Sequence, residues 1–217
     1  MSPFTELDLE KEAKANNFRV AIFGSARTEK GSKHYEEVFE LAKMIGEREY
    51  DVITGGGPGI MEAANAGHFA GDKNKTAESI GLTIKLSTEE APNDFVELRK
   101  HFERFSERLE TFAKLSNVFV VTTGGIGTML ELFYTWQLVQ VKKIEYKPII
   151  LAGEMWKPLV YWIIDYALKD GLISSADFDY IYVAKDNQQA IELINEFNKQ
   201  HKEKGKCWPL KIGKDKI

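Results

Sequence analysis

The chain has 217 residues, 43% apolar and 29% charged, which suits a globular protein with one substantial core. Its formal charge of −4 argues against a surface that holds nucleic-acid phosphates. The lone Cys207 excludes an intramolecular disulfide, and "MSPFTELDLEKEAKANN" lacks a signal peptide's apolar core, so a cytoplasmic protein without a membrane or nucleic-acid partner is expected.

Residues 1–17 read as an N-terminal extension. "FRVAIFG" (18–24) is a short apolar run rich in strand formers and ended by glycine. In "HYEEVFELAKMIGERE" (34–49), Val38, Phe39, Leu41, Ala42 and Ile45 recur at helical spacing. "YDVITGGG" then reads as strand and "GIMEAANAGHFAG" as helix. "SIGLTIKL" (79–86) is a third strand, followed by a long charged helix from about Asp94 to Leu115. "NVFVVTTGG" and "TMLELFYTWQLVQVKK" repeat the strand–helix order. "KPIILAG" is a fifth strand, with a helix from about Trp156 to Lys169. "DYIYVAKD" and "NQQAIELINEFNKQ" close the series. The tail 201–217 is lysine-rich, with Trp208 and Leu210 as residues able to dock on the body.

Alternating strands and helices predict a parallel sheet covered on both faces. The runs "VAIF", "VFVV" and "PIIL" are continuously apolar, as burial on both faces requires. The expected fold is a single-domain, doubly wound, Rossmann-like α/β sheet over residues 18–200.

Open parallel sheets bind ligands beyond the carboxyl ends of their strands. Three glycine-bearing turns fall there: "FGSAR" (23–27), "TGGGPGIME" (54–62) and "TTGGIGTMLE" (122–131). Glycine lets the backbone approach a ligand, and the unpaired amides at a helix start favour an anion. Gly24, Ser25, Gly56, Gly57, Gly59, Glu62, Gly124, Gly125, Gly127 and Thr128 are therefore candidate ligand-binding residues, with Asn65 a further one. The dinucleotide pattern fails at its last glycine, where Ile60 and Leu130 stand, and there is no P-loop, no nucleophile elbow and no ligand-like spacing of histidines.

The motifs "GGGPGIMEAANAG" (55–67) and "GGIGTMLELF" (124–133), in this order, resemble the LOG family, long labelled possible lysine decarboxylases. The family hallmark is P-G-G-x-G-T-x-x-E; "FGSAR" and "HFERFSERLETF" match its pattern as well. The resemblance implies a phosphoribohydrolase. Such an enzyme cleaves the N-glycosidic bond of a nucleoside 5′-monophosphate, AMP or a cytokinin ribotide, to free base and ribose 5-phosphate. It also implies a homodimer or larger homo-oligomer with no cofactor and no metal. The family's catalytic pair falls on Arg108 and Glu131. Thr123 replaces the hallmark proline, and Leu109 follows the arginine where lysine is usual, which makes the site less electropositive.

Other readings of these residues stay open. Thr128-x-x-Glu131 matches a capping box, in which the acid merely serves its own helix N-terminus. Glu107 and Arg104 read as solvated charges, Phe102, Phe105 and Phe112 as packing residues, and Trp136 and Trp156 as packing or interface residues. For function, the alternative is a non-catalytic nucleotide or molybdenum-cofactor carrier of the same fold. A nicotinamide enzyme is disfavoured by the broken fingerprints.

Overall fold

The structure, a computed structural model, describes residues 4–84 and 91–210. Its strands form one sheet: β1 (Thr5–Glu6), β2 (Arg19–Phe23), β3 (Asp51–Thr54), β4 (Ser79–Ile84), β5 (Leu98–Phe102), β6 (Val118–Val121), β7 (Ile149–Ala152) and β8 (Ile181–Ala184). Every neighbouring pair is parallel, in the order β1-β5-β4-β3-β2-β6-β7-β8. The helices are α1 (Leu9–Lys14), α2 (Lys33–Gly46), α3 (Ile60–Gly71), α4 (Phe105–Leu115), α5 (Ile126–Gln140), α6 (Trp156–Trp162) and α7 (Asn187–Lys204). This is the doubly wound, Rossmann-like α/β fold expected from the sequence.

β2 shows why its residues make a central strand. Successive side chains on a strand point to opposite faces. Val20 and Ile22 join the core beneath α2, α3 and α7, while Ala21 and Phe23 join the core beneath α4, α5 and α6. All four are buried, and full burial of a side chain such as Ile22 or Phe23 contributes about 1.5–3 kcal/mol. One polar substitution in β2 would spoil one of these two cores.

The helix expected from Asp94 to Leu115 is corrected. Leu98–Phe102 is a strand, β5, and the helix α4 starts only at Phe105. Pairing on both sides overrides the helical character of this charged stretch. β5 hydrogen-bonds β4 over five residues and β1 over two. Its charges find partners locally: Arg99 lies 4.8 Å from the Phe4 ring, and Lys100 Nζ is 3.1 Å from Glu6. The helix after β7 keeps its expected span but changes geometry, with Ile163–Leu168 continuing α6 as a π-helix.

Residues at both ends pack on the body. Asp8 caps α1, accepting from the Glu10 and Lys11 amides. Buried Arg19 then bridges Glu12 on α1 and Asp51 at the start of β3. After α7, Gly205 takes the left-handed conformation that ends the helix (φ 71°). Leu210 donates its amide to Tyr182 Oη at 3.0 Å and packs against the core, while Trp208 stays half exposed. Positions 211–217 of the lysine-rich tail lie outside the described residues, as do positions 85 and 86 of the third expected strand. No helix among the described residues is long and apolar enough to cross a membrane.

The strand order reverses beside β2. The chain runs outward from β2 through β3 and β4 to β5, then returns to β6 on the other flank of β2. The crevice at such a reversal is where open α/β sheets hold ligands.

Candidate active site

The three glycine turns stand side by side at the carboxyl ends of β2, β3 and β6. Ser25 joins them: its amide donates to Thr123 O (3.1 Å), and its carbonyl accepts from the Ile60 amide (2.9 Å). This packing tolerates no side chain at Gly24, where a Cβ would strike Ile60 and Thr122. Gly56 has a φ of +73°, a left-handed conformation that other residues adopt only with strain.

Together the turns line a cleft of about 580 Å³, within the usual range for small-molecule sites. Gly24, Ser25, Gly56, Gly57, Gly125, Gly127, Thr128, Arg108 and Glu131 line it. Gly59, Glu62, Gly124 and Asn65 do not. Gly59 caps α3 and is pressed against the Ser25 and Ala26 backbone. Glu62 accepts instead from Lys30, ahead of α2 (2.7 Å), and from Tyr35 on α2 (3.3 Å). Gly124 packs on Thr128, and Asn65 is fully buried behind the second turn.

At the third turn Gly125 is the N-cap of α5, and the first helical bond runs from the Met129 amide to Gly125 O at 3.0 Å. The amides of Ile126, Gly127 and Thr128 precede that bond and so lack intrahelical acceptors. Together with the helix dipole they favour an anion here.

Glu131 therefore lies in the second turn of α5, not the first. Thr128 is inside the helix, and no side chain caps its start, so the capping-box reading fails. The carboxylate instead meets Arg108 Nη1 at 3.4 Å. Arg108 is held by three elements. It stands on α4, donates Nε–H to Leu82 O on β4 at 2.6 Å, and reaches Glu131 on α5. Its guanidinium also lies 5.2 Å from the Phe112 ring. Gly55 makes room for it, since a Cβ there would collide with the guanidinium.

The side chains of Arg108 and Glu131 are only 9% and 14% exposed. Desolvation lowers the arginine's pKa, with Glu131 opposing; the guanidinium still stays charged. Desolvation raises Glu131 from 4.5 to about 7, with Arg108 pulling the other way. A single long contact to one guanidinium nitrogen does not make up for the lost water. The result is a carboxyl poised between its two forms at neutral pH, which can take up or release a proton beside a bound ligand.

Sequence reasoning missed several cleft residues. Phe105, expected in the core, is half exposed and lines the cleft with Met61 and Leu109, whereas Phe102, Phe112, Trp136 and Trp156 are buried as expected. Arg27, within the quoted "FGSAR", lines the cleft too, with its amide held by Ser25 Oγ at 3.0 Å. Among the described residues no group of three or more His, Cys, Asp or Glu is placed to hold a metal.

A family model described as possible lysine decarboxylase, the older label of the LOG family, matches residues 61–194, more than half of the chain. The chain belongs to the LOG family. Among its relatives is the pyrimidine/purine nucleotide 5′-monophosphate nucleosidase of Escherichia coli K12, 28% identical over 165 residues. That match covers 73% of this chain but only 36% of the E. coli protein. A cytokinin riboside 5′-monophosphate phosphoribohydrolase of Arabidopsis thaliana is 25% identical over 88% of this chain and 89% of its own. Among solved structures, the molybdenum cofactor binding protein of Rippkaea orientalis superposes with a TM-score of 0.63. It is 19% identical and covers 83% of this chain and 96% of its own, a likeness of fold alone.

The raised pKa of Glu131 has a stability consequence in this LOG-family chain. The folded state holds the proton more tightly than the unfolded state, so this contribution is full below about pH 4.5 and lost as pH rises through about 7. Glu131→Gln lacks it. The melting temperature of Glu131→Gln relative to the parent should therefore rise from pH 5 to pH 8 in thermal scans; parallel curves would show that Glu131 is not desolvated.

Proposed function

We propose that the chain hydrolyses the N-glycosidic bond of nucleoside 5′-monophosphates, releasing the free base and ribose 5-phosphate. The observation that carries this reading is the buried Glu131–Arg108 pair, facing the cleft that the glycine turns line. The relatives named as nucleotide nucleosidase and phosphoribohydrolase support it.

Breaking a ribosyl C–N bond builds positive charge on the sugar, as in glycoside hydrolysis. Ionised Glu131 stabilises that charge and accepts a proton from the attacking water as the C1′–O bond forms. The C1′–N electron pair leaves with the base, which takes up a proton from solvent, and Glu131 later gives its own back. Arg108 holds the carboxylate in place. The free amides at the start of α5 take the 5′-phosphate, with Arg27 as a second cation at the cleft. Phosphate binding thereby fixes the ribose against the acid, turning remote binding energy into rate. Met61, Phe105 and Leu109 give the base an apolar wall. Leu109, standing where the family usually has lysine, leaves recognition of the phosphate to the amides and Arg27.

The protein acts as a homodimer in this reading. Ile126, Leu130 and Phe133 follow one face of α5 and are 82%, 47% and 42% exposed, an apolar stripe of the kind that marks an interface.

Incubating the purified protein with AMP and other nucleoside monophosphates should release free base, detectable by chromatography. Glu131→Gln should slow turnover by about 100-fold or more, and kcat/KM should fall as pH drops below about 7, where Glu131 takes up its proton. Tight AMP binding without base release would identify a carrier instead. In sedimentation the parent should run at twice its 24.7 kDa chain mass and Phe133→Asp at the monomer mass; a monomeric parent would exclude the dimer.

A further inference from the structure

The second glycine turn is held from behind by a polar network outside the cleft. Asn93, on the segment leading into β5, donates its backbone amide to Gly56 O at 2.9 Å. Its side-chain amide reaches Gly57 O (2.9 Å), Gly56 O (3.2 Å) and Asn65 Oδ1 (3.0 Å). The side-chain oxygen of Asn93 accepts from the Phe95 amide, which fixes which way the amide group faces. Behind it, Thr54 Oγ1 donates to Asn65 Oδ1 (2.7 Å) and accepts from the Gly56 amide (2.9 Å), and Asn65 donates to Ser79 Oγ (2.8 Å). Thr54, Asn65 and Ser79 are fully buried. In a buried network each polar group needs its partners, so this one admits a single arrangement of the turn.

That arrangement decides which backbone group is left for a ligand. Both Gly56 groups and the Gly57 carbonyl are engaged by Thr54 and Asn93, and Pro58 has no N–H. In a planar trans peptide the Gly57 N–H points opposite to the Gly56 carbonyl, hence away from Asn93. Gly57 lines the cleft, whereas Asn93 does not.

We propose that Asn93 is a positioning residue: it locks the Gly56–Gly57 peptide so that the Gly57 N–H donates to the substrate's phosphate, across the cleft from α5. This rests on the nucleoside monophosphate reading, but it concerns binding and not turnover. An amide fixed in advance binds a charged oxygen without the entropic cost of ordering the turn, and hydrogen bonds to charged groups are the strong ones.

The test is calorimetric titration of the full chain with AMP and with adenosine, which lacks the phosphate. Asn93→Ala should weaken AMP binding by about tenfold or more while leaving adenosine within about twofold, and should raise KM for AMP more than it lowers kcat. Val96→Ala is the control. Val96 packs on Gly56 and Gly81 from the same segment but makes only apolar contacts there, so it should lower the melting temperature without separating the two ligands. Equal weakening of AMP and adenosine, unchanged AMP binding in Asn93→Ala, or the same separation in Val96→Ala would overturn the proposal. A parent protein that binds AMP better than adenosine but releases no base would leave this inference standing and remove the hydrolase reading.

Discussion

The site depends on one constraint: a carboxylate and a guanidinium kept together where little water reaches either. Burying two charges costs more than their attraction returns unless further hydrogen bonds support them. Here the support is uneven. Arg108 is anchored to a β4 carbonyl and an aromatic ring, so its position does not depend on Glu131. Among the described residues Glu131 has one polar contact, at 3.4 Å, and desolvation raises its proton affinity. A tighter pair would be a structural ion bridge with an ordinary or depressed carboxyl. This looser one keeps the acid basic at neutral pH.

The fold explains how three separate elements bring these residues together. β2, apolar on both faces, is the strand from which the order runs both ways, so the turns after β2, β3 and β6 share one crevice. Ser25 links them through two backbone hydrogen bonds. At three of these glycines the missing side chain has its own reason. Gly24 admits Ile60, Gly55 admits the Arg108 guanidinium, and Gly56 supplies the left-handed conformation. The third turn opens directly into α5, whose first amides lack intrahelical acceptors.

The legible parts of the sequence were those governed by local pattern. Continuous apolar runs marked β2, β6 and β7 because such strands are buried on both faces, and the glycine turns announced the crevice. β5 was not legible: "LRKHF" reads as helix, and only its pairing with β4 and β1 makes it a strand. The Thr128–Glu131 spacing mimicked a capping box because the helix start at Gly125 has no side-chain signal. Phe105 matched a core period but sits where α4 borders the cleft. That Arg108 and Glu131 meet is a tertiary fact, 23 positions apart in sequence, and it came from the family resemblance, not from spacing. Asn93 gave no signal at all, since the groups it holds in the glycine turn are backbone carbonyls 36 and 37 positions away.

The measurement closest to the central claim is a carbon-13 NMR titration of the side-chain carboxyls, with the Glu131 signal assigned by its absence in Glu131→Gln. In the ligand-free protein a midpoint near 7 is expected. A midpoint at the ordinary value near 4.5 would mean that the carboxylate is well solvated or firmly paired, which contradicts a buried, loosely paired acid tuned to neutral pH.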